Sequence, residues 1–239
     1  KLRETELVVL DHWNDYIQNI PSDVKPTSPT WSQEFGRNYP LDKIHPITKQ
    51  WKVKVSELKQ ILIEEGITPP KSRFRRDAVS KFPPYIGSAR KPLPEWKRNF
   101  ILKNRDNWKS VEKYMGNDWL TKTRTFEQTY QKIEWQVKTG KRDIWQHLIQ
   151  FRPSGIRVKK TDYIPALVAI AQVPIIGWQK RKMTPKECAR AQDFDVDGIN
   201  GNRYILDSSD NRSYKQLGNA VNVNLTREIM KEIERYLGG

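Results

Sequence analysis

Hydrophobic positions near the start of the chain recur every three or four residues, which is the spacing of one helix face. Between positions 4 and 20 the apolar residues in this spacing are Leu7, Leu10, Trp13, Ile17 and Ile20. We therefore predict an amphipathic helix that Pro21 ends. A second helix is predicted over residues 57–62, with Ser56 as its N-cap and Gly66 closing it.

The middle of the chain alternates between proline-rich and helical stretches. Five prolines lie from Pro21 to Pro46, and they predict an extended segment anchored by aromatic residues. Helical spacing returns from Glu95 to Tyr114, and looser spacing predicts another helix from Thr125 to Val137. Most of the large aromatic residues are predicted to lie in the core, namely Trp13, Trp31, Tyr39, Trp51, Trp96, Trp108, Trp135 and Trp145.

The last third of the chain contains short apolar runs. Residues 155–159 alternate apolar and charged side chains, and residues 166–171 and 173–176 are apolar runs bounded by Pro or Gly. These patterns are typical of strands. We therefore predict an α+β fold, a mixed helical lobe with a small twisted sheet at about residues 154–176.

Helices are predicted after that sheet. Thr184, Pro185 and Glu187 have the spacing of a capping box with proline in the first turn, and the helix is predicted to reach Phe194. Two further helices, at residues 213–217 and 222–237, are predicted on either side of Gly218 and Asn219.

Composition narrows the class of protein. The run from Ile164 to Ile176 is interrupted by two prolines and a glutamine, so we expect no membrane span, and the first residues do not resemble a secretory signal. The single cysteine, Cys188, cannot form an internal disulfide, and with only three histidines we expect no metal site. A reducing cytoplasmic compartment is the expectation.

The charge is strongly positive and unevenly distributed. The chain has 43 Lys and Arg against 28 Asp and Glu, a formal net charge of +15. Residues 71–113 alone hold thirteen Lys and Arg against four Asp and Glu. Such a balance favours a nucleic-acid partner, although a solvated basic surface gives the same count. Within this stretch the candidate phosphate-binding residues are Arg73, Arg75, Arg76 and Arg90, and a solvated basic loop is the alternative.

Two motifs near the C-terminus resemble those of DNA (cytosine-5) methyltransferases. Residues 181–194 read R-K-M-T-P-K-E-C-A-R-A-Q-D-F and resemble the ninth motif of that family. Residues 213–221 read S-Y-K-Q-L-G-N-A-V and resemble the tenth. The pair in this order, followed by a terminal helix, is far more specific than either motif alone. Asp193 and Asp195 depart from the family's Gly and Pro after the ninth-motif helix.

Two weaker resemblances extend the match. Residues 151–158, F-R-P-S-G-I-R-V, followed by I-P-A-L at 164–167, resemble the junction that closes the target-recognition region of these enzymes. The segment Trp31 to Gly36, W-S-Q-E-F-G, resembles the recognition region of one branch of the family.

The resemblance implies that part of the enzyme's machinery lies outside this sequence. In the family, a Rossmann-like half carries a Gly-rich loop for S-adenosylmethionine, a Pro-Cys nucleophile, a Glu-Asn-Val motif and a Gln-x-Arg-x-Arg strand. The sequence contains none of these, and Cys188 follows Glu187 instead of Pro. We therefore expect this chain to be inactive alone and its C-terminal helices to pack on that catalytic half. S-adenosylmethionine would be shared with it.

The resemblance also implies roles for particular residues. DNA contact is expected around the junction, where an ordinary charged edge strand is the alternative, and the candidates are Arg152, Ser154, Gly155, Arg157, Lys159 and Lys160. A mainly architectural role is expected in the two motifs for Arg181, Thr184, Pro185, Glu187, Arg190 and Gly218. One wall of the S-adenosylmethionine site is expected from Asn219, Ala220 and Val221, where a plain helix cap is the alternative.

The hypothesis from sequence is the DNA-recognition half of a DNA (cytosine-5) methyltransferase, as a separate subunit or as a piece of a longer chain. Residues 1–180 would recognise double-stranded DNA, from which the target cytosine must be flipped, and residues 181–239 would dock on the catalytic half. A restriction-modification setting and association with the nucleoid are expected by family analogy. The alternative is a non-catalytic DNA-binding module derived from such an enzyme. A general basic nucleic-acid protein would leave both motifs as coincidence.

Overall fold

The structure, a computed structural model, describes residues 1–26, 28–41, 53–83, 85, 93–169, 172–199, 201 and 203–238. Contacts divide the chain into two compact units, one formed by Lys1–Gln18 with Ile133–Gly239 and the other by Asn19–Lys132. The discontinuous one is called the sheet unit below, and Asn19–Lys132 is called the helical unit. The division of the chain at residue 180 concerns function and stays a prediction.

Eight helices and six strands are described in these ranges. The helices are α1 (Glu4–Asn19), α2 (Val55–Glu64), α3 (Arg75–Val79), α4 (Glu95–Val111), α5 (Trp119–Thr125), α6 (Pro185–Arg190), α7 (Asp210–Asn219) and α8 (Val223–Leu237). The strands are β1 (Thr30–Trp31), β2 (Lys132–Trp135), β3 (Leu148–Arg152), β4 (Gly155–Lys159), β5 (Ile175–Ile176) and β6 (Arg181–Lys182). The mixed α+β class is confirmed.

The sheet unit is organised around a short hairpin. β3 and β4 pair antiparallel with Ile149 opposite Val158, and β2 pairs parallel with β4. β5 extends β3 on its other side and β6 follows β5, so the order is β2-β4-β3-β5-β6. The side chains of Ile133, Ile149 and Ile156 are fully buried, as alternation on a half-buried sheet requires. β3 and β4 therefore have partners on both sides and neither is an edge strand.

The N-terminal helix α1 belongs to this unit although it is distant in sequence. The Asn14 Oδ1 atom accepts a hydrogen bond from the backbone N–H of Ile144 at 2.7 Å, and Asp11 accepts one from the Trp145 indole at 2.8 Å. Lys182 lies 3.4 Å from the carboxylate of Glu6. These contacts fix α1 against the segment before β3 and against β6.

The helical unit has a core of its own. One cluster of its buried apolar side chains comes from α2, α3, α4, the segment before α2 and the residues after α3, namely Tyr39, Leu41, Leu58, Ile61, Leu62, Ala78, Val79, Phe82 and Ile101. Gly66 follows α2 with a left-handed φ of +68°, as the predicted C-terminal glycine requires. Ser56 is not the N-cap, because α2 begins at Val55 and Lys54 precedes it.

Two of the predicted elements are wrong. Residues 125–137 are not a helix: α5 ends at Thr125, and the next regular element is β2. Ile133, Trp135 and Val137 are buried at every second position, which is strand spacing, and this signal outweighs the loose helical spacing. Residues 166–169 form no strand, and residues 170 and 171 lie outside the described residues.

The other helix predictions hold with shifted ends. The predictions for residues 4–20 and 95–114 are confirmed, the latter as α4 followed by a turn of 3-10 helix, Glu112–Tyr114. The ninth-motif helix α6 ends at Arg190 and not at Phe194. The aromatic prediction is wrong for Trp96, which is 65% exposed, and Trp51 lies outside the described residues. Among the described helices, none has the length and apolar character needed to cross a membrane.

Candidate functional site

The ninth-motif segment begins at a charged corner. Thr184 caps α6 by accepting the Glu187 backbone N–H at 3.2 Å, and the Glu187 carboxylate accepts the Thr184 N–H at 2.8 Å, so the predicted capping box is present. Arg181 donates two parallel hydrogen bonds to the same carboxylate, at 2.8 and 2.7 Å. The hydrogen bonds from Arg181, and to a smaller extent those from Thr184, lower the pKa of Glu187 to about 2. Pro185 is buried in the first turn.

A second cluster of charged residues, Lys186, Arg190 and Asp197, joins α6 to the segment that follows it. Arg190 holds Asp197 through two hydrogen bonds of 2.8 and 2.9 Å, and Lys186 lies 2.6 Å from the same carboxylate. These cations hold the pKa of Asp197 below its usual range. Asp193 adopts a left-handed φ of 61° directly after the helix. The turn whose residues depart from the family pattern is therefore fixed by Arg190 and Asp197.

The tenth-motif helix α7 is packed on the ninth-motif segment. The Tyr214 hydroxyl donates to the backbone carbonyl of Met183 at 2.6 Å, and the Gln192 amide donates to the carbonyl of Leu217 at 2.8 Å. Burial, reinforced by Cys188, raises the pKa of Tyr214 to about 12, so its hydroxyl stays a donor. Leu217 is fully buried among side chains from β3, β5 and α6.

Gly218 lies very close to the backbone of residues 168 and 169. A Cβ atom there would lie 2.3 to 2.5 Å from backbone atoms of Val168 and Ala169. Its neighbour in this contact is therefore this chain's own backbone. Gly218 and Asn219 form the last turn of α7 and do not separate two helices, because the break lies at residues 220–222.

The three predicted cofactor residues lie between α7 and α8. Asn219 is exposed, Ala220 is half-buried, and Val221 is 72% exposed. Asn222 caps α8 by accepting the N–H of Leu225 at 2.8 Å and donates to Asp193 at 2.7 Å. The segment is thus anchored at both ends, with the side chains of Asn219 and Val221 directed to solvent. Two exposed side chains fit one edge of a cofactor pocket and do not enclose a cofactor.

Helix α8 is amphipathic and its apolar side is uncovered. No residue along α8 is buried in the described chain. The exposed apolar side chains are Val223, Leu225, Ile229, Met230, Ile233, Tyr236 and Leu237. This apolar face is not packed against the described part of the chain.

The predicted DNA-contact cluster lies on the hairpin of β3 and β4. The Glu134 carboxylate on β2 binds both arginines of the cluster, Arg152 at 2.5 Å and Arg157 at 3.0 Å. Ser154 is exposed in the turn, where Gly155 has a φ of +125° that favours glycine. The guanidinium groups are therefore held in place by Glu134, and the edge-strand alternative does not describe β4.

The remaining members of that cluster lie at the far end of β4. Lys159 and Lys160 are half-buried, and the Lys159 ammonium lies 4.4 Å from the centre of the Tyr163 ring. The basic residues of the cluster thus form two groups, Arg152 and Arg157 on β3 and β4, and Lys159 and Lys160 where β4 ends.

The basic segment before and within α3 is only partly described. Arg73 and Arg76 are exposed, and Arg76 lies over the ring of Phe74. Arg75 donates to the carbonyl of Val53 at 2.9 Å, so part of its guanidinium has a structural role. Arg90 lies outside the described residues.

The sequence predictions missed a buried ionic centre in the helical unit. Glu34 is fully buried and lies 2.9 Å from the Nε atom of Arg105, which is itself 8% exposed. The hydroxyls of Tyr39 and Tyr85 donate to the same carboxylate. The pKa of both hydroxyls is raised, mainly by burial and secondly by the negative charge of Glu34. Burial alone would lower the pKa of Arg105, but the interactions with Glu34 and Tyr39 outweigh this effect, so the pKa of Arg105 is raised.

The one available signal for this centre was the Trp31–Gly36 segment. Glu34 is its fourth residue, and the next residue, Phe35, stacks on Trp108 with ring centres 4.7 Å apart. The backbone N–H of Trp31 is bound by Asn104, which precedes Arg105 on α4. The segment is therefore fixed to α4 by an ion pair, a ring stack and a backbone hydrogen bond.

Cys188 is no candidate nucleophile in this fold. Its side chain is fully buried on α6, and burial, with Glu187 nearby, raises the pKa of the thiol to about 12. The thiolate, which is the reactive form, is therefore negligible near neutral pH. Within the described ranges, no group of three or more His, Cys, Asp or Glu side chains could hold a metal ion.

Comparison with known proteins adds a family to this geometry. A family model described as C-5 cytosine-specific DNA methylase matches residues 18–235. The chain is 31% identical to the type II methyltransferase M.AluI of Cellulosimicrobium cellulans in an alignment 255 residues long. This alignment covers 97% of this chain and 44% of the relative. It is 43% identical to the type II methyltransferase M.BanI of Aneurinibacillus aneurinilyticus over 53 residues, 22% of this chain and 11% of the relative. The chain thus spans less than half the length of these relatives. No solved structure matches it.

Proposed function

This chain belongs to the C-5 cytosine-specific DNA methylase family, and on that premise we propose that it is the C-terminal, DNA-recognising part of a DNA (cytosine-5) methyltransferase. Residues 1–180 recognise a duplex site, and residues 181–239 dock on a catalytic half. The complete enzyme methylates C5 of a cytosine that has been rotated out of the duplex, because that base is inaccessible while stacked. The type II relatives favour a restriction-modification setting.

The observation that carries this proposal is the packing of the two motif segments. Tyr214 binds Met183, Gln192 binds Leu217, and Gly218 lies against Val168, so both motifs form one folded block. α8 follows that block with its apolar side uncovered. A block of this kind with an open apolar helix suits docking on another part of the enzyme.

The nucleophile must come from outside this chain. The only cysteine is buried, with a thiol pKa of about 12, and the sequence contains no Pro-Cys pair. The catalytic half supplies the thiolate that attacks cytosine C6, the assisting glutamate and most of the S-adenosylmethionine site. This chain contributes Asn219, Ala220 and Val221 as one edge of that site. The cofactor supplies the transferred methyl group when it is bound.

DNA contact is assigned to the basic residues of both units. In the sheet unit, Arg152 and Arg157 are oriented by Glu134 beside the exposed Ser154 turn, with Lys159 and Lys160 further along β4. In the helical unit, Arg73 and Arg76 are exposed, whereas Arg75 also serves the fold. Oriented guanidinium groups suit guanine edges and phosphates, and exposed single cations suit phosphates.

A methyl-transfer assay tests the proposal. Transfer of tritiated methyl groups from S-adenosylmethionine to mixed-sequence duplex DNA is measured with this chain alone, with a candidate half that bears the Pro-Cys and Gly-rich motifs, and with both together. We expect activity only in the mixture, and bisulfite sequencing of the product then identifies the site.

The competing function is a DNA-binding module without catalysis, favoured by the lack of the Pro-Cys and Gly-rich motifs in this sequence. It predicts selective duplex binding by this chain and no methyl transfer in the mixture. Transfer by this chain alone would contradict both functions.

A further inference from the structure

A small cleft in the helical unit is lined by an unusual set of side chains. Its volume is about 170 Å³, and it opens between the Ser32–Glu34 turn, the residues after α3, and α5. Three cations and three carboxamides line it, namely Gln33, Arg37, Lys81, Arg124, Gln128 and Gln131. None of these residues is among the DNA-contact candidates named above.

The carboxylates of the described residues do not balance the positive charge of the cleft. Arg37 donates to the backbone carbonyl of Glu65 at 2.7 Å and lies 3.6 Å from its carboxylate. Arg124 donates only to a backbone carbonyl, that of Phe35, at 3.1 Å. Within the described part of the chain, neither Arg124 nor Lys81 has a carboxylate partner. One carboxylate therefore faces three cations.

Two of these cations also repel each other in a partly dry environment. Arg37 is 13% exposed at its side chain. Burial, followed by the charge of Arg37, lowers the pKa of Arg124, and the charge of Glu65 raises it in part. The Glu65 carboxylate therefore offsets only part of the repulsion between the two guanidinium groups, and an added anion would offset more of it.

One residue that lines the cleft has an unsatisfied hydrogen-bonding group. Gln33 is 8% exposed, and its Oε1 atom is buried without a partner among the described residues, while its Nε2 atom donates to the carbonyl of Gln128 at 3.4 Å. A buried polar atom of this kind normally binds an ordered water. Such a water has two hydrogens, so it can donate one to Gln33 and the other to an anion above it.

We propose that this cleft binds a phosphodiester group of the DNA backbone, with Lys81 and Arg124 as its ligands. Arg37 supplies further positive charge, and a water on Gln33 supplies a hydrogen bond. This inference rests on the proposed function, because that function makes duplex DNA the polyanion at hand. Lys81 also lies in residues 71–113, the most basic stretch of the sequence.

The experiment measures how the affinity of the 239-residue chain for duplex DNA depends on salt, for the wild type, Lys81→Gln and Lys109→Gln. Lys81 is exposed, and within the described chain its side chain forms no hydrogen bond or ion pair. The matched control, Lys109, is an exposed lysine of the same unit that pairs with Asp106 on α4. Two 20-base-pair duplexes of unrelated sequence are used, because a phosphate contact weakens both alike.

We expect the slope of log K against log salt to become shallower by about 0.9 in Lys81→Gln, the value for one lost phosphate contact. Lys109→Gln keeps the wild-type slope. Arg124→Gln reproduces the Lys81→Gln effect, and its thermal midpoint shows whether the lost bond to Phe35 has also weakened the fold.

Equal changes in Lys81→Gln and Lys109→Gln would overturn the proposal, since they reflect general charge. An unchanged slope in Lys81→Gln would also overturn it, and so would an absence of DNA binding. A thermal shift with inorganic phosphate at constant ionic strength, seen only while Lys81 is present and without a slope change on DNA, would identify a free-anion site instead. The methyl-transfer mixture decides the proposed function separately, since this cleft can bind phosphate whether or not methylation occurs.

Discussion

A methyl group at position 218 would have no room. The Cβ of alanine would lie 2.3 to 2.5 Å from the backbone of Val168 and Ala169, and backbone atoms cannot rotate away as a side chain can. We expect Gly218→Ala to destabilise the chain by roughly 1–3 kcal/mol, as overpacking does. For a chain of this length each kcal/mol lowers the thermal midpoint by about 2–4 °C.

The matched control is Gly116→Ala, because its Cβ would meet only Asp118 Oδ1 at an ordinary 3.5 Å. Differential scanning calorimetry of the three proteins measures the effect. Equal midpoints for wild type and Gly218→Ala would contradict the close approach of α7 to residues 168 and 169.

The carboxylate of Glu187 makes stability depend on pH. Its pKa is lowered from 4.5 to about 2, so its interactions with Arg181 and Thr184 stabilise the fold above about pH 4.5 and are lost as the pH falls towards 2. We expect Glu187→Gln to be less stable than wild type at pH 7, with a difference that shrinks between pH 4.5 and pH 3.

Urea unfolding at pH 7, 5 and 3 measures this difference. Glu232→Gln on α8 is the control, because that carboxylate is 67% exposed and pairs only with Arg235. It removes the same charge with little effect at any of the three pH values. A Glu187→Gln difference that grows as the pH falls would show that the carboxylate does not act through its charged form.

At the scale of elements, the Ser32–Glu34 turn and α4 are joined by the buried pair of Glu34 and Arg105. Removing one member of such a pair leaves a charge uncompensated in the core, which costs about 3–5 kcal/mol. We expect Glu34→Gln to lose about this much free energy of unfolding. The double variant Glu34→Gln with Arg105→Met should recover part of the loss, because no buried charge remains.

Guanidinium chloride unfolding of both variants tests this. Lys109→Gln on the exposed side of α4 should change stability by less than about 0.5 kcal/mol. A double variant less stable than Glu34→Gln alone would mean that the pair does not act as a unit.

Local signals account for the elements that sequence alone could predict. The capping box of Thr184 and Glu187 lies within four residues and is present as predicted. The helix predicted at 125–137 failed because Ile133 and Trp135 belong to a strand whose partner, β4, lies over twenty residues away.

The predictions for the site were limited in the same way, because contacts between residues distant in sequence could not be predicted. Motif resemblance predicted an architectural role for Gly218, but its neighbour Val168 lies 50 residues earlier in the chain. The partner of Glu34 is Arg105, 71 residues away, and the cleft around Lys81 draws on residues from 33 to 131. Such long-range pairs leave no periodic pattern in a single sequence.

For the whole molecule, the most informative surface is the apolar side of α8. Since none of its residues is buried, Ile229→Glu should change the free energy of unfolding by less than about 0.5 kcal/mol. The same change should abolish methyl transfer in the mixture with the catalytic half, because a charge on a docking face is desolvated without a partner. Calorimetry and the methyl-transfer assay measure the two effects.

Lys231→Gln is the control for Ile229→Glu. It alters an exposed lysine of the same helix that pairs with Glu228, and it should affect neither measurement. A large fall in the thermal midpoint of Ile229→Glu would show that this face packs on the chain itself.

The buried thiol of Cys188 can report local opening of the native chain without any added label. A thiol reagent reacts with a thiolate, so in the folded protein this single cysteine is protected both by burial and by its pKa of about 12. The rate at which Ellman's reagent colours a solution of the chain therefore measures how often α6 opens. For the same reason a cysteine introduced on the outer side of α8 could carry a fluorophore for docking studies without removing the natural one.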